Sequence, residues 1–330
     1  MPTLKLGTRG SQLALIQANV VAALLGARAG VSCDVVVIKT SGDRLADAPL
    51  AQIGGKRLFV KEIEDALRAG LIDLAVHSSK DMPAVLPDGL ALGAALPRED
   101  ARDAIVLPAA SVPGPHGSPS VWAPDDIVRR LGEAPTIGTS SVRRTAQLLP
   151  LFPRARFGAI RGNLDTRLRK LDSGEFHAIV LAAAGLRRLG QEARISVALP
   201  PNICVPAPGQ GIIAVEVRSD DTRVRTVVER INDPGSAAAL AAERMVVRRL
   251  GGGCQMPIGA HATVSSTELS LMTIVASIDG RRALRAEASG AVSEAESIGT
   301  RAAMRLLAQG AAEILAEADT ARGAVEGLQP

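Results

Sequence analysis

Short apolar runs alternate with amphipathic segments over the first two thirds of the chain. Runs such as Cys33–Lys39 and Leu90–Leu96 are typical of buried strands, whereas the spacing from Ser11 to about Arg28 is helical and ends before Gly30. Strands that alternate with helices predict an α/β fold with mostly parallel sheets covered by helices. The same patterns predict further strands at Leu4–Leu6, Leu74–Val76, Ala104–Leu107, Thr136-Ile137, Arg156–Ile160, Ala178–Leu181 and Ile212–Val217, and further helices at Phe59–Ala69, from Ser141, at Asn163–Leu171 and at Gly185–Leu189.

The pattern is interrupted twice. Ser111–Ser120 is rich in Pro, Gly and Ser and indicates an exposed loop, and the Pro-rich stretch Leu199–Gly209 is a natural crossing between domains. We therefore expect a first α/β domain of residues 1–103 plus about 206–229, and a second of residues 104–205.

The third predicted domain, residues 230–330, has a different pattern of apolar and polar residues. A helix at Ala237–Leu250 precedes three strand-like runs, and Asp279-Gly280 between the last two is a hairpin signal. Strands paired in hairpins with segregated helices predict an α+β domain. The runs are Ile258–Val264, Leu269–Ile278 and Arg282–Ala288, and one final helix is expected at Glu294–Glu317.

Composition favours packed cores over disorder, because 47% of the residues are hydrophobic and 22% are charged. No apolar run approaches the roughly 20 residues of a membrane span, and the N-terminus lacks the pattern of a secretory leader. We therefore expect a cytoplasmic protein without a membrane partner. Cys33, Cys204 and Cys254 are far apart and only four His are present, so neither a disulfide framework nor a metal site is expected.

The charge balance favours an anionic partner. The formal net charge is +4, and of the 38 basic residues 32 are Arg, whose planar fork meets a carboxylate bidentately. For most surface arginines, however, a genome bias toward Arg and Ala is the favoured explanation. Nucleic acid is disfavoured as the anion, because the chain has no Tyr, four Phe and one Trp to stack on bases and carries no motif of the nucleic-acid modules.

Cations are concentrated where predicted strands give way to helices. Gly7-Thr8 and Gly138-Thr139 form a short internal echo, each placing backbone N–H groups at a helix start, where anions bind. Taken singly, each Arg is more often a surface charge, but carboxyl ends of parallel strands are where α/β sheets bind ligands. Their concentration there indicates a ligand with several carboxylates or phosphates. The cations are Arg9, Lys80, Arg143, Arg144, Arg161, Arg167 and, from a following helix, Arg188.

Asp81 is the acidic exception among these cations. It is interpreted either as a helix N-cap or partner of Lys80, or as a carboxylate that faces a developing positive charge and passes protons. The segment Gly54–Phe59 also has two interpretations: it is either a mobile lid that carries Lys56 and Phe59 or merely a turn.

Cys254 lies in the glycine-rich stretch Gly251–Gly253 and Gln255–Pro257. Flexible positions around a thiol favour a reactive or covalently occupied sulfur over a structural one, since a buried Cys normally lies inside an apolar strand, as Cys33 does. A papain-type protease is disfavoured, because no His lies in a matching motif.

These motifs together resemble the porphobilinogen deaminase (hydroxymethylbilane synthase) family over nearly the whole chain. No other family known to us combines so many ordered matches. The matching stretches are Thr8–Leu15, Gly54–Glu62, Ala75–Pro83, Gly138–Arg144, Arg161–Leu168, Ala184–Leu189, Pro208–Gly211 and Gly251–Gly259.

The resemblance implies two periplasmic-binding-protein-like, doubly wound α/β domains plus a small α+β C-terminal domain. It implies a monomeric transferase of haem biosynthesis that condenses four porphobilinogen molecules with loss of ammonia. Cys254 would carry a dipyrromethane cofactor through a thioether, and Asp81 would be the catalytic carboxylate. By the same resemblance the cofactor is bound by Ser11, Lys80, Asp81, Thr139, Ser140, Arg143, Arg144, Gly185 and Arg188, and the substrate by Arg9, Ser11, Lys56, Phe59, Arg161, Arg167 and Gln210.

Two departures and two rival functions remain at this point. Gln52 stands just before Gly54 where relatives can have Lys, and the Ser111–Ser120 stretch is longer than in compact members. A non-catalytic anion receptor would share the two-domain layout but would need neither Cys254 nor Asp81. A basic nucleic-acid-binding protein would lose affinity steeply with salt.

Overall fold

The computed structural model describes residues 3–41, 60–111, 123–253 and 256–327. The strands in these ranges are β1 (Leu4–Thr8), β2 (Cys33–Val37), β3 (Leu74–Ser78), β4 (Leu90–Ala95), β5 (Asp103–Val106), β6 (Thr136–Gly138), β7 (Arg156–Gly158), β8 (Ala178–Ala182), β9 (Val197–Ala198), β10 (Ile213–Arg218), β11 (Ile258–Ser265), β12 (Glu268–Ala276) and β13 (Ala283–Ala291). The α-helices are α1 (Gln12–Ala29), α2 (Lys61–Arg68), α3 (Pro124–Leu131), α4 (Val142–Leu148), α5 (Leu164–Asp172), α6 (Ala183–Arg188), α7 (Thr222–Glu229), α8 (Pro234–Leu250), α9 (Ala295–Ala308) and α10 (Ala311–Gly327).

The first two sheets are built to one plan. Their strand orders are β2-β1-β3-β10-β4 and β7-β6-β8-β5-β9, so β1 and β6, the two strands of the Gly-Thr echo, occupy the same position. In each sheet the first three strands are parallel, and the fourth, β10 or β5, is antiparallel to both neighbours. The expectation of mostly parallel pairing is therefore wrong for half of the strand pairs. Periodicity indicates that a segment is a strand but not its direction.

The antiparallel strands arise because the chain crosses between the sheets twice. It leaves the first sheet after β4 to form β5, and it returns after β9 to form β10. Residues 96–102 and 199–212 are the two crossings. Each sheet has apolar clusters on both faces, which gives two covered α/β units joined side by side.

The third sheet is the antiparallel meander β11-β12-β13, packed on α8, α9 and α10. With it the expected fold class, two doubly wound α/β units and a small α+β unit, is confirmed. The predicted final helix is in fact two helices, since Gly310 adopts the left-handed φ of 96° and the chain turns there. Helices α3 and α7 were not expected, because both are short and mostly polar. Of the predicted loop 111–120, all but Ser111 lies outside the described residues.

Helix α1 shows how a local signal positions the site. The Ala14 N–H donates to the Ser11 hydroxyl oxygen at 3.3 Å, and Gly30 ends the helix at a φ of 66°. Among the described helices, α1 alone is long and apolar enough to cross a membrane, with a mean hydropathy of 1.3. Its buried residues, such as Val21 and Leu25, belong to the core of the first sheet.

A buried carboxylate ties the third sheet to both crossings. Glu243 in α8 is 0% exposed and accepts two hydrogen bonds from Arg98, at 2.6 Å from Nη1 and 3.0 Å from Nη2. The backbone N–H groups of Gly209 and Ala262 also donate to it, each at 2.6 Å. Arg98 lies in the first crossing, Gly209 in the second and Ala262 in β11. One side chain therefore fixes three segments that are distant in sequence.

We expect Arg98→Met to lower the free energy of unfolding by about 3–5 kcal/mol, because it leaves the Glu243 charge buried without its cation. Chemical denaturation followed by circular dichroism measures the loss. The control is Arg102→Met, which removes an arginine of the same crossing whose side chain is 40% exposed and paired with Asp100 at 2.7 Å. That loss should stay below about 1 kcal/mol. Equal losses in the two variants would contradict the role given to Glu243.

Candidate active site

Polar side chains cap the helices that follow the strand ends. Ser11 caps α1, Ser141 accepts the Arg144 N–H at 3.4 Å to cap α4, and Asn163 caps α5 in the same way. Because β1 and β3 are parallel, as are β6 and β7, the segments after them lie at the carboxyl edges of the sheets. This edge is where α/β proteins bind ligands.

A fully buried carboxylate organises the second sheet's share of this edge. Asp103, at the start of β5, accepts hydrogen bonds from Arg143 Nη1 at 2.6 Å and Arg144 Nε at 2.8 Å. Gln210 Nε2 donates to it at 3.0 Å and the Cys204 thiol at 3.3 Å. One acid therefore holds two adjacent arginines and two residues of the second crossing.

The cluster fixes both guanidinium groups from several sides. Arg143 Nη1 also donates to the Val205 carbonyl at 2.7 Å, and Arg144 Nη1 donates to the Val180 carbonyl at 2.9 Å. Burial alone would raise the pKa of Asp103, but the two guanidinium groups outweigh it and hold the pKa well below its usual range. The carboxylate stays ionised, so the arginines keep their positions.

Arg143 faces a cavity that brings the three sheets together. The cavity is lined in part by Ser79, Lys80, Ser141, Arg143, Gly253 and Met256. Gly253 and Met256 flank Cys254 in sequence, and Cys254 itself lies outside the described residues. Residues on both sides of the predicted cofactor cysteine in the sequence therefore line this cavity.

Lys80 is the cation of the first sheet in this cavity. Burial lowers the pKa of its ammonium group to about 8, and the nearby guanidinium groups of Arg144 and Arg143 act in the same direction. Asp81 and Asp103 oppose the shift without cancelling it. The negative charge that the protein places around Lys80 is therefore too small to balance the Lys80 ammonium group. This imbalance favours the binding of an anion.

Arg167 has an electrostatic environment similar to that of Lys80. Burial lowers the pKa of its guanidinium group to about 10, with Arg144 adding repulsion and Asp81 opposing it. Its Nε donates to the Gly162 carbonyl at 2.9 Å, which orients the side chain at the start of α5. These mutual effects indicate that Lys80, Asp81, Arg144 and Arg167 lie in one electrostatic neighbourhood.

Arg188 connects the second sheet's helices to the second crossing. Its Nη2 donates to the Gly211 carbonyl at 2.6 Å, and burial lowers its pKa while Glu99 opposes the shift. Gly185, one turn earlier in α6, is buried. A Cβ there would lie 3.6 Å from Leu164 and 3.7 Å from Leu13, so α6 faces α1 of the other unit.

Other predicted ligands have internal partners. Thr139 Oγ1 accepts the Ser141 N–H at 3.2 Å, and Ser140 Oγ donates to the Ile160 carbonyl at 2.7 Å. Gln210 is 1% exposed and donates to Ala101 and Asp103. In the described part of the chain its Oε1 has no partner. That atom is an acceptor, so it suits a pyrrole N–H and not a carboxylate.

The remaining predicted residues either do not line the cavity or lie outside the described residues. Arg9 and Arg161 follow β1 and β7 but do not line it, so their roles stay predictions. The residues outside the described ranges are Gln52, Lys56, Phe59 and Cys254.

Sequence reasoning missed two residues that the fold makes important. Asp103 follows a run of charges, Arg98–Arg102, and only its place as the first residue of a buried strand distinguishes it. Ser79 is buried in the cavity wall, and within the described ranges its hydroxyl has no hydrogen-bond partner. A hydroxyl donor left without a partner beside the partly buried Lys80 ammonium group suits a bound carboxylate.

These donors fit a polycarboxylate group better than a metal. Ammonium, guanidinium and hydroxyl donors surround the cavity, whereas the described ranges contain no cluster of three or more His, Cys, Asp or Glu that could hold a metal ion. A dipyrromethane, with carboxylate arms on both rings, matches this donor set.

Comparison with known proteins gives consistent matches along the chain. Residues 4–226 match the family model described as porphobilinogen deaminase, dipyromethane cofactor binding domain, and residues 237–308 match the porphobilinogen deaminase C-terminal domain. Porphobilinogen deaminase of Moorella thermoacetica is 48% identical over 328 residues, covering 99% of this chain and 100% of that protein. Porphobilinogen deaminase of Syntrophobacter fumaroxidans is 46% identical over 315 residues, covering 95% of this chain and 97% of that protein.

Solved structures with a similar course include the periplasmic VFT2 domain of Bordetella pertussis BvgS, with a TM-score of 0.40 and 18% identity over 70% of this chain and 86% of that one. Another is the second substrate binding domain of a putative amino acid ABC transporter from Streptococcus pneumoniae, with a TM-score of 0.42 and 10% identity over 69% of this chain and 90% of that one.

The two family models together span the strands that form the cation-lined edge and the third unit that carries Cys254. The identities to curated relatives extend over nearly the full length of both chains. This chain belongs to the porphobilinogen deaminase family.

Proposed function

We propose that Asp81 and the cations around it carry out the family's reaction in this chain. That reaction is the hydroxymethylbilane synthase step of tetrapyrrole biosynthesis, a transferase reaction that joins four porphobilinogen molecules and releases ammonia. The observation that supports this assignment is the Asp81 carboxylate among partly buried cations with lowered pKa values, Lys80 and Arg167.

The cations bind and orient the carboxylates of cofactor and substrate. Every porphobilinogen unit brings two carboxylates, and the charge on a growing chain rises with each addition. Lys80, Arg143 and Arg167 supply donors at the carboxyl edges of both sheets, where a carboxylate restores the charge balance that burial has upset. Arg144 acts through Asp103, which keeps the neighbouring Arg143 in place.

Asp81 stabilises the positive charge that develops on the substrate during the reaction. As ammonia leaves the aminomethyl group, positive charge develops on the pyrrole and its nitrogen. A fixed carboxylate facing that nitrogen stabilises the charge where it develops and can hold the nitrogen's proton. Asp81 lies in the short 3₁₀ turn directly after β3, so the strand fixes its position relative to Lys80.

Cys254 anchors the cofactor in this proposal. When bound through a thioether, the dipyrromethane supplies the pyrrole terminus to which the first substrate is joined. Its carboxylates would be held by Lys80, Ser79 and Arg143 in the cavity wall, next to the flanking residues Gly253 and Met256. Arg188, Thr139, Ser140 and Gly185 are proposed to support the same group from the second unit.

The division into domains belongs to the same proposal, with limits at 1–103 plus about 206–229, 104–205 and 230–330. Both crossings lie near these limits, and α8 begins the third core at Pro234. We also propose a cytoplasmic monomer with porphobilinogen as its substrate and no nucleic-acid or membrane partner. The packing of α1 in the first core and the scarcity of aromatic residues support this.

We expect Asp81→Asn to fold and to lose at least ~10²-fold in turnover, the usual scale for a missing charge-stabilising group. Steady-state product formation and a thermal melt of the same sample measure both properties. A variant with nearly unchanged turnover would remove Asp81 from the mechanism.

Intact mass tests the covalent cofactor. Denatured active enzyme should exceed its sequence mass by one dipyrromethane, keep the adduct after dithiol treatment and lose it in Cys254→Ser. Burial raises the pKa of Cys33 to about 11 and that of Cys204 to about 12, so neither should react rapidly with alkylating reagents in the folded protein. A bare sequence mass with three free thiols in active enzyme would exclude the covalent cofactor, and with it the assignment to this reaction.

Cofactor assembly by the apoenzyme should depend on the charge of Lys80. Its ammonium is protonated below a pKa of about 8, so carboxylate capture should be complete at lower pH and decline as pH rises through that value. In the holoenzyme a bound carboxylate stabilises the charged form, which moves the decline to higher pH. Lys80→Arg should abolish the decline in the apoenzyme, as measured by the rate of adduct formation against pH. An identical profile in both proteins would assign the titration to another group.

A further inference from the structure

A groove separate from the carboxyl-edge site lies between the first sheet and α8. It has a volume of about 400 Å³ and is lined by the 84–86 segment, by β4 and by α8, with Glu296 of α9 at its margin. Small-molecule sites usually measure roughly 300–1,000 Å³, so the space suits a compact ligand. Ala84 and Arg244 line both this groove and the cavity beside Cys254, so the two spaces share a wall.

Part of the groove's lining is apolar. Leu86 and Leu92 line it from the first unit, and Leu240 and Ala241 line it from α8. Val85, also in the lining, is 62% exposed. A flat apolar body, such as an aromatic ring, would cover this surface.

The charges of the groove are two cations and one anion. Arg244 and Arg248 are one helical turn apart on α8, so their side chains share a face. Arg244 Nη2 donates to the Ala84 carbonyl at 3.0 Å, which holds its guanidinium group at the wall. Within residues 3–41, 60–111, 123–253 and 256–327, the side chains of Arg248 and Glu296 have no hydrogen-bond or ion-pair partner.

We propose that this groove binds a second molecule of porphobilinogen, outside the site where chain growth occurs. The two carboxylates of the ligand meet Arg244 and Arg248, its aminomethyl ammonium meets Glu296, and its pyrrole ring covers the apolar wall. This match of two anions, one cation and one ring distinguishes the ligand from a simple dicarboxylate. The choice of ligand depends on the proposed function, which makes porphobilinogen the substrate.

Counting binding sites tests the proposal. Porphobilinogen is titrated into the Asp81→Asn holoenzyme by isothermal calorimetry in the cold, so that turnover is slow. We expect one class of sites to weaken by about tenfold or more when Arg248→Glu is added, because a hydrogen-bonded charge pair is lost and a repulsion is gained. Glu296→Gln should weaken the same class without affecting the binding of succinate.

The matched control is Arg249→Glu, the same charge change at the next exposed position of α8, which does not line the groove. It should leave every class of sites unchanged. Equal isotherms for the two charge reversals would overturn the proposal. Displacement of the affected class by succinate as readily as by porphobilinogen would also overturn it, in favour of a general dicarboxylate site.

A further experiment distinguishes failure of this proposal from failure of the proposed function. It measures the turnover and the mass adduct of Arg248→Glu in a protein with Asp81 intact. Both should equal those of the unmodified enzyme, because Arg248 lies outside the cation-lined cavity. If the adduct is missing from both proteins, the proposed function has failed. If the adduct is present and the calorimetric sites are unchanged, only the groove assignment has failed.

Discussion

Two buried carboxylates, Asp103 and Glu243, hold the molecule together where its three units meet. Glu243 binds the guanidinium group of Arg98, whose Nε donates to the Gln210 carbonyl at 2.9 Å, and the Gln210 side chain donates in turn to Asp103. The network therefore runs from the third sheet through both crossings into the second sheet. A buried charge without its partner is costly, so each member constrains the position of the next.

This network determines what the active site can do. Asp103 fixes Arg143 and Arg144 at the carboxyl edge of the second sheet, and Glu243 fixes the helix that leads to Cys254. Helix α8 and the two arginines are thus held by one continuous set of hydrogen bonds. A covalently anchored polyanion, as proposed for Cys254, would need this arrangement, because its anchor and its counter-charges would come from different parts of the chain.

The site itself is out of electrostatic balance. Lys80 and Arg167 have lowered pKa values because burial and neighbouring cations outweigh the nearby acids, which are Asp81 for both groups and also Asp103 for Lys80. In the proposed function, the carboxylates of cofactor and substrate would relieve this imbalance. A site made neutral by more acids would be more stable when empty, but it would bind a chain of growing negative charge less well.

The sequence by itself determined the kinds of elements, the family and the cations at strand ends, because helix caps, apolar periods and ordered motifs are local. Ser11, Asn163 and Gly30 mark helix ends by their own chemistry. Only the tertiary structure decided the antiparallel course of β5 and β10, the division of the last helix at Gly310 and the importance of Asp103 and Ser79. These features depend on which distant segments meet in the fold. Asp103 binds several partners, and the Ser79 hydroxyl lacks one, only because folding removes water and places particular groups beside them.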